Sequence, residues 1–160
     1  MKKQVPFALF LATFAFVSLS VRGQNWPQWG GPNANGIAAE SGLPVDWSLT
    51  DNIAWKVRLP GRGMSTPIIW GDRIFVTSQI GFGKVESRSA RYEGPVLSDD
   101  GPVTFVVQCF GRESGKLPWD PRLPAEKPLP SVHAFHNLST PSPVTDGERL
   151  YVWFGTGQII

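Results

Sequence analysis

The sequence predicts an all-β fold built from a repeated, four-stranded antiparallel unit. The first indication is a repeat: STPIIWGDRIFV, residues 65–76, returns as SPVTDGERLYV, residues 142–152, at an offset of 76 residues. The second is that runs of β-branched and aromatic residues alternate with glycine-containing turns, a pattern typical of short strands. The third is that no long helical period follows the N-terminal segment. Similarity at a fixed offset indicates a repeat architecture.

Residues 1–23 have the pattern of a secretory signal peptide. A basic Met-Lys-Lys start is followed by an uncharged apolar run from Val5 to Val17, and small residues lead to Gly23. The run is shorter than the roughly 20 residues that cross a bilayer, so we expect cleavage near Gly23, with an uncleaved N-terminal anchor as the alternative. The expected product is an exported protein with no transmembrane span after cleavage.

The charge and cysteine content argue against a nucleic acid partner and exclude an intrachain disulfide. The chain carries 15 basic and 13 acidic residues, a net charge of +2. Loss of Lys2, Lys3 and Arg22 with the signal leaves twelve scattered basic residues against thirteen acidic ones, so we expect no nucleic acid partner. Cys109 is the only cysteine, which rules out an intrachain disulfide, and its apolar neighbours predict a buried side chain.

Residues 24–51 are predicted to form an irregular N-terminal arm. Gly-Gly-Pro-Asn and Asn-Gly sequences favour turns, because Gly and Asn tolerate positive φ. Trp26, Trp29 and Trp47 are large apolar side chains among these turns, and we expect them to pack against the rest of the fold. An aromatic platform for carbohydrate is the alternative role for these three tryptophans.

The first strand signals follow this arm. NIAWKVRL, residues 52–59, alternates apolar and polar positions and predicts a strand. Thr66–Trp70 and Arg73–Ser78 predict a hairpin, because the two residues between them, Gly71 and Asp72, suit a tight turn.

The rest of the first unit is predicted from composition. Residues 81–102 are polar, glycine-rich and aperiodic, which favours a long loop with at most a fragment of strand. Val103–Phe110 is apolar enough to be a strand that is buried on both faces. Gly111–Gly115 predicts a turn and Lys116–Trp119 a fourth strand, which Pro118 would place at a sheet edge.

A second unit begins after a proline-rich connector at Pro121–Pro130. The hairpin returns at Pro143–Phe154, with Gly147 and Glu148 at its turn. Four antiparallel strands per unit describe a blade of a β-propeller, and a ring needs at least about four blades. We therefore expect residues 52–160 to be the first one and a half blades of an incomplete propeller, with the remaining blades supplied in cis or by another chain.

The segment CFGRESGKLPW, residues 109–119, resembles the tryptophan docking motif of pyrroloquinoline quinone (PQQ)-type propeller repeats, Ala-x-Asp-x-x-Thr-Gly-Lys-x-x-Trp. The matching positions are Ser114, Gly115, Lys116 and Trp119, while Gly111 replaces the motif's Asp. The hairpin GDRIFV and the opening NWPQWGGPNANG are also similar to secreted bacterial proteins of this family. The resemblance implies a PQQ-like β-propeller in which Trp119 packs between adjacent blades. It implies the same part for Trp55 at the blade that closes the ring.

The resemblance leads to one expected function and two alternatives. We expect an exported, non-catalytic scaffold, in the bacterial periplasm or outside the cell, that binds protein or cell-envelope partners. The alternatives are the N-terminal piece of a PQQ-dependent quinoprotein oxidoreductase, which would also hold calcium, and a carbohydrate-binding module.

Few residues of the chain suit catalysis or metal binding. Asp99-Asp100 is the only adjacent acidic pair, and its position in a glycine-rich loop favours a solvated turn. His133 and His136 have an i, i+3 spacing, but two ligands do not make a zinc site. With one cysteine, the vicinal cysteine pair of many quinoprotein alcohol dehydrogenases cannot form. We therefore expect no catalytic, cofactor-binding or metal-binding residues in this chain.

Overall fold

The described part of the protein consists of short β-strands in three sheets. The computed structural model describes residues 23–83, 85–87, 101–133 and 135–160, and these residues contain no helix. The strands are β1 Ile68–Trp70, β2 Arg73–Ile80, β3 Val85–Ser87, β4 Thr104–Gly111, β5 Arg122–Pro124, β6 Val132–His133, β7 Val144–Thr145 and β8 Leu150–Tyr151. An antiparallel sheet has the order β1-β2-β4-β5, β3 pairs in parallel with β6, and β7 pairs antiparallel with β8. The all-β prediction is confirmed.

Two of the sequence predictions lie outside the described residues. One is the signal peptide, apart from Gly23, and the other is the Asp99-Asp100 pair. Within the described residues, no helix has the length and apolar character that spanning a membrane requires. Part of the predicted loop 81–102 is described, and it contains the short strand β3.

The first hairpin has the predicted geometry. β1 pairs with β2 from Ile68 opposite Phe75 to Trp70 opposite Arg73, which leaves a two-residue turn. Gly71 in that turn has a φ of +59°, in the left-handed region that glycine adopts without steric cost. The sequence therefore placed this turn correctly.

The third predicted strand is the centre of the main sheet. β4 pairs with all eight residues of β2, and six consecutive β4 residues are buried. Burial on both faces follows from its continuous apolar run, since alternate side chains point to opposite sides of a sheet. Cys109 is fully buried within it, which confirms its predicted place in the core.

The fourth strand was predicted in the wrong place. Lys116–Trp119 forms no strand, and β5 lies within the segment predicted as a connector. Backbone N–H groups of β4 donate to the carbonyls of Lys116, Trp119 and Pro121 at 2.8–3.1 Å, so the chain already runs alongside β4. Pro118 and Pro121 have no N–H to return these hydrogen bonds, which delays regular pairing until Arg122.

The predicted strand at Asn52–Leu59 is also wrong. This segment is irregular, and Asn52 has a positive φ of +58°. A strand needs a free partner edge, but the outer edge of β1 is taken by Trp26, which exchanges two 2.8 Å backbone hydrogen bonds with Ile69. The segment instead contacts the sheet through the ring of Trp55.

The second hairpin repeats the register of the first. Val144 pairs with Tyr151 and Thr145 with Leu150, which are the pairs Ile68–Phe75 and Ile69–Ile74 shifted by 76 residues. One backbone hydrogen bond from the chain after the hairpin to the segment before it recurs in both copies; in the first copy the Gln79 N–H donates to the Arg62 carbonyl. Arg62 bridges Gln79, and at the shifted positions the Gly155 N–H donates to the Leu138 carbonyl. The repeat found in the sequence is therefore a repeat of backbone pairing.

The two hairpins enclose a common core. One cluster joins β4 to the second hairpin, and in it the rings of Phe105 and Phe154 stack at 3.9 Å between centroids and 3° between planes. The other joins Ile68, Phe75 and Cys109 in the first sheet. Trp119 packs against both clusters, and so it lies at the seam between the two hairpins.

The N-terminal arm is only partly packed. Trp26 is half-buried, and its ring lies against the backbone of Gly31. Trp29 and Trp47 are 71% and 63% exposed, so the prediction that all three tryptophans pack is wrong for these two. Turns fix the backbone around Trp29 but direct its ring outward. Composition alone does not predict the direction in which a side chain leaves a turn.

Candidate binding site between the repeated turns

The two repeated turns lie on either side of a cavity of about 480 Å³. We call it the turn cavity. Its lining residues are Trp70, Gly71, Asp72, Arg73, Phe75, Trp119, Thr145, Gly147, Glu148, Arg149 and Leu150. The predicted turn residues of both repeats are therefore brought together around one space.

The first turn is held by one side-chain and one backbone hydrogen bond from neighbouring segments. The Gly71 N–H donates to Asn25 Oδ1 at 2.8 Å, and the Asp72 carbonyl accepts the Arg112 N–H at 2.8 Å. These bonds tie the turn to the N-terminal arm on one side and to the turn after β4 on the other. The Asp72 and Arg73 side chains remain exposed to solvent.

The second turn is held by the side chain of Asp146. Its Oδ1 accepts the N–H groups of Glu148 and Arg149 at 2.9 and 2.7 Å, and its Oδ2 accepts the Tyr151 hydroxyl at 2.8 Å. The Arg149 N–H bond, the Tyr151 bond and the Glu148 N–H bond, in that order, lower the pKa of Asp146. Asp146 stays ionised and sets the direction in which Glu148 and Arg149 leave the turn.

Aromatic side chains form the apolar part of the cavity. Trp70 lies so close to Gly147 that a methyl group on that glycine would overlap its ring. Deeper in, the rings of Phe75 and Trp119 are 6.0 Å apart and tilted by 44°. The cavity thus combines a packed aromatic floor with polar walls.

Equivalent charged pairs line the two walls. Asp72-Arg73 and Glu148-Arg149 occupy matching positions of the two hairpins. The Arg73 Nε lies 4.0 Å from Asp72 Oδ1, a weak and exposed contact, and Arg149 makes no ion pair with any described residue. Both guanidinium groups can therefore hydrogen-bond an incoming carboxylate or carbonyl without first breaking a strong pair.

The predicted docking motif forms a closed turn next to this site. The Gly115 N–H donates to the Gly111 carbonyl at 2.8 Å, and Gly115 has a φ of +63°. The Lys116 N–H donates to Ser114 Oγ at 3.3 Å. Backbone and serine bonds thus close the turn, in which Gly111 stands where the motif has Asp.

Trp55 and Trp119 lie on opposite faces of the main sheet. The Trp55 Nε1–H donates to the Arg112 carbonyl at 2.7 Å, and its ring centroid is 6.2 Å from that of Phe110. Trp119 packs on the other face, beside Phe75. The structure therefore gives each face of the sheet its own tryptophan.

The two histidines are exposed and form no assigned site. The ring centroids of His133 and His136 are 6.2 Å apart. Among the described residues, no group of three or more His, Cys, Asp or Glu side chains is placed to hold a metal ion. We assign no cofactor ligands to this part of the chain.

Six residues that line the turn cavity are not among the predicted site residues: Trp70, Arg73, Phe75, Thr145, Arg149 and Leu150. The arginines carried a usable signal, because an acidic residue followed by arginine occurs at the same position of both copies. Trp70 carried no such signal, because its ring contacts Gly147 in the turn of the other hairpin, 77 residues away. Comparison with protein-family models, with curated proteins and with solved structures finds no match to this chain.

Proposed function

We propose that this chain forms blades of an exported, non-catalytic, PQQ-like β-propeller scaffold that binds protein or cell-envelope partners. The observation that carries the proposal is the repeated hairpin. Two copies with one backbone register pack side by side and share Trp119 at their seam. Repeat units of this kind bury their faces against neighbours, so further blades would extend the same packing.

The main sheet supports the propeller part of the proposal. Its order β1-β2-β4-β5, with all neighbours antiparallel, is the arrangement expected of one blade. The packing of Trp119 against the clusters of both hairpins supports the inter-blade role that the docking motif implies. The signal-peptide pattern at residues 1–23 supports export to the bacterial periplasm or beyond.

The turn cavity supports the binding part of the proposal. Tryptophan and arginine are enriched among the residues that contribute most to protein–protein affinity. Here two tryptophans and two arginines line one space, with carboxylates beside the arginines. A partner surface that presents both acidic and basic side chains around an apolar centre would complement it.

Cross-linking in the host tests the binding site. The full chain should yield a cross-linked partner that is lost when Arg73 and Arg149 are both replaced by Glu. Arg58→Glu is the matched control, because Arg58 is exposed and does not line the cavity. The same partners with all three chains, or none with any, would refute binding through the turn cavity.

Two further measurements test the scaffold and its export. Intact mass of the native protein from the exported fraction should show loss of the first 23 residues or of a segment close to that length. Incubation with PQQ and Ca²⁺ should leave no bound quinone absorbance after gel filtration. Stoichiometric quinone on the protein would favour the oxidoreductase alternative instead.

A further inference from the structure

The exposed Trp29 stands between two further cavities, of about 410 and 490 Å³. It lines both of them. The first is also lined by Trp26, Asn35 and Thr66, and the second by Gln28, Ser142 and Trp153. We call this surface the Trp29 groove. It does not share a lining residue with the turn cavity.

The Trp29 groove is held in place by both hairpins. Trp26 pairs with Ile69 of β1, and the carbonyl of Pro27 accepts the Thr145 N–H of β7 at 3.0 Å. Just beyond, the Gly31 N–H donates to the Gln28 carbonyl at 3.0 Å. The backbone on which Trp29 sits is therefore anchored at both repeats, and the ring is displayed from a fixed loop.

The groove carries no charge. Every described residue that lines its two cavities is uncharged, whereas four charged side chains line the turn cavity. Its polar groups are amides and hydroxyls. Within the described residues, the Gln28 amide and the Trp29 indole N–H make no hydrogen bond, so their donors and acceptors can serve a ligand. A charged ligand would lose hydration here without meeting an opposite charge.

We propose that the Trp29 groove binds an uncharged glycan chain. Sugar rings present apolar C–H faces, which suit an exposed indole plate, and edges of hydroxyl groups, which both donate and accept hydrogen bonds. The indole rings of Trp26, Trp29 and Trp153 supply the stacking surfaces. Because Trp29 separates two cavities, the groove can take sugar units on both sides of one ring, as an extended chain requires.

A proline-rich peptide would fit the aromatic plates less completely. Such peptides also bind aromatic-lined grooves. Proline has no N–H, however, so the chain offers mainly carbonyl acceptors. The acceptor atoms of Gln28 and Thr66 would then remain unpaired, whereas glycan hydroxyls can donate to them.

Calorimetric titration of the full chain tests the proposal. The probes are uncharged hexasaccharides of glucose, mannose, xylose and N-acetylglucosamine, with oligogalacturonate as the charged control and decaproline as the competing peptide. We expect at least one uncharged hexasaccharide to bind and both controls to fail. Failure of all the uncharged hexasaccharides, or preferential binding of decaproline or oligogalacturonate, would overturn the proposal.

Matched tryptophan variants locate the site. Trp29→Ala should weaken binding at least about tenfold, which is about 1.4 kcal/mol, because the ring lines both cavities and its loss removes stacking in each. Trp47→Ala should bind as the parent does, because Trp47 is similarly exposed but lies outside both cavities. Equal losses in the two variants would refute this location.

Two additional variants test the role of the second cavity and the independence of the Trp29 groove from the turn cavity. Trp153→Ala should also weaken binding, through the second cavity alone. Replacement of both Arg73 and Arg149 by Glu should leave glycan affinity unchanged, because neither lines the Trp29 groove. Loss of glycan binding in that double variant would contradict two independent sites.

Discussion

Glycine-to-alanine substitutions at equivalent turn positions test how the two hairpins pack together. Gly71 and Gly147 match in the repeat, and both have positive φ, +59° and +96°. A side chain at Gly71 would point into open space, but one at Gly147 would overlap the Trp70 ring. Comparing the two variants therefore distinguishes the cost of backbone strain alone from the added cost of a clash between the hairpins.

The two substitutions should lower the free energy of unfolding by different amounts. Gly71→Ala should lower the free energy of unfolding by about 1 kcal/mol, the cost of a left-handed conformation for alanine. Gly147→Ala adds overpacking, which typically costs about 1–3 kcal/mol. Since Trp70 is 36% exposed, its ring can move partly into solvent, and a total of about 2–3 kcal/mol is expected.

Urea unfolding measures this difference. With an m-value of roughly 2 kcal/mol/M, the midpoint of Gly147→Ala should lie about 0.5–1 M below that of Gly71→Ala. Adding Trp70→Ala should remove most of the extra cost, because the clash partner is gone. Equal midpoints for the two glycine variants, or no coupling to Trp70, would refute the packing of Trp70 against the second turn.

Other expected outcomes concern the seam, the second turn and the core. Trp119→Ala should cost about 2–4 kcal/mol in urea unfolding, because it removes contacts with both clusters, while Trp47→Ala should cost close to nothing. The lowered pKa of Asp146 contributes stability above its unfolded-state value of about 3.9, and this is lost as pH falls through the lower folded value. Asp146→Asn should therefore flatten the fall in unfolding free energy below about pH 4, and an unchanged acid slope would contradict the assignment. Burial raises the pKa of Cys109, so a thiol reagent at pH 8 should label it only after denaturation, and rapid labelling of the native chain would show that this part of the core is open.

Local sequence chemistry predicted those elements whose partners are close in the chain. The Gly71-Asp72 turn specifies its own hairpin, because only a few residues decide its geometry. The apolar run of β4 predicts burial on both faces regardless of which elements cover it. These predictions needed no knowledge of the rest of the fold.

The errors arose where a distant partner decides the outcome. Asn52–Leu59 alternates like a strand, but Trp26 already pairs with the edge of β1. Trp29 and Trp47 are large enough to pack, yet nothing in the described fold covers them. The turn cavity depends on two hairpins meeting, and the repeat predicted their similarity but not the contact of Trp70 with Gly147.

The equal registers of the two hairpins have a consequence for the order of folding. Each hairpin pairs residues fewer than about 20 positions apart, so its loop-closure entropy is small and it can form early. Contacts between the copies, such as the hydrogen bond from the Thr66 N–H to Ser142 Oγ, join residues 76 positions apart. Substitutions at the seam should therefore change the unfolding rate more than the folding rate, whereas substitutions within a hairpin should slow its formation. During synthesis, each hairpin would then form before the contacts that join it to the neighbouring hairpin.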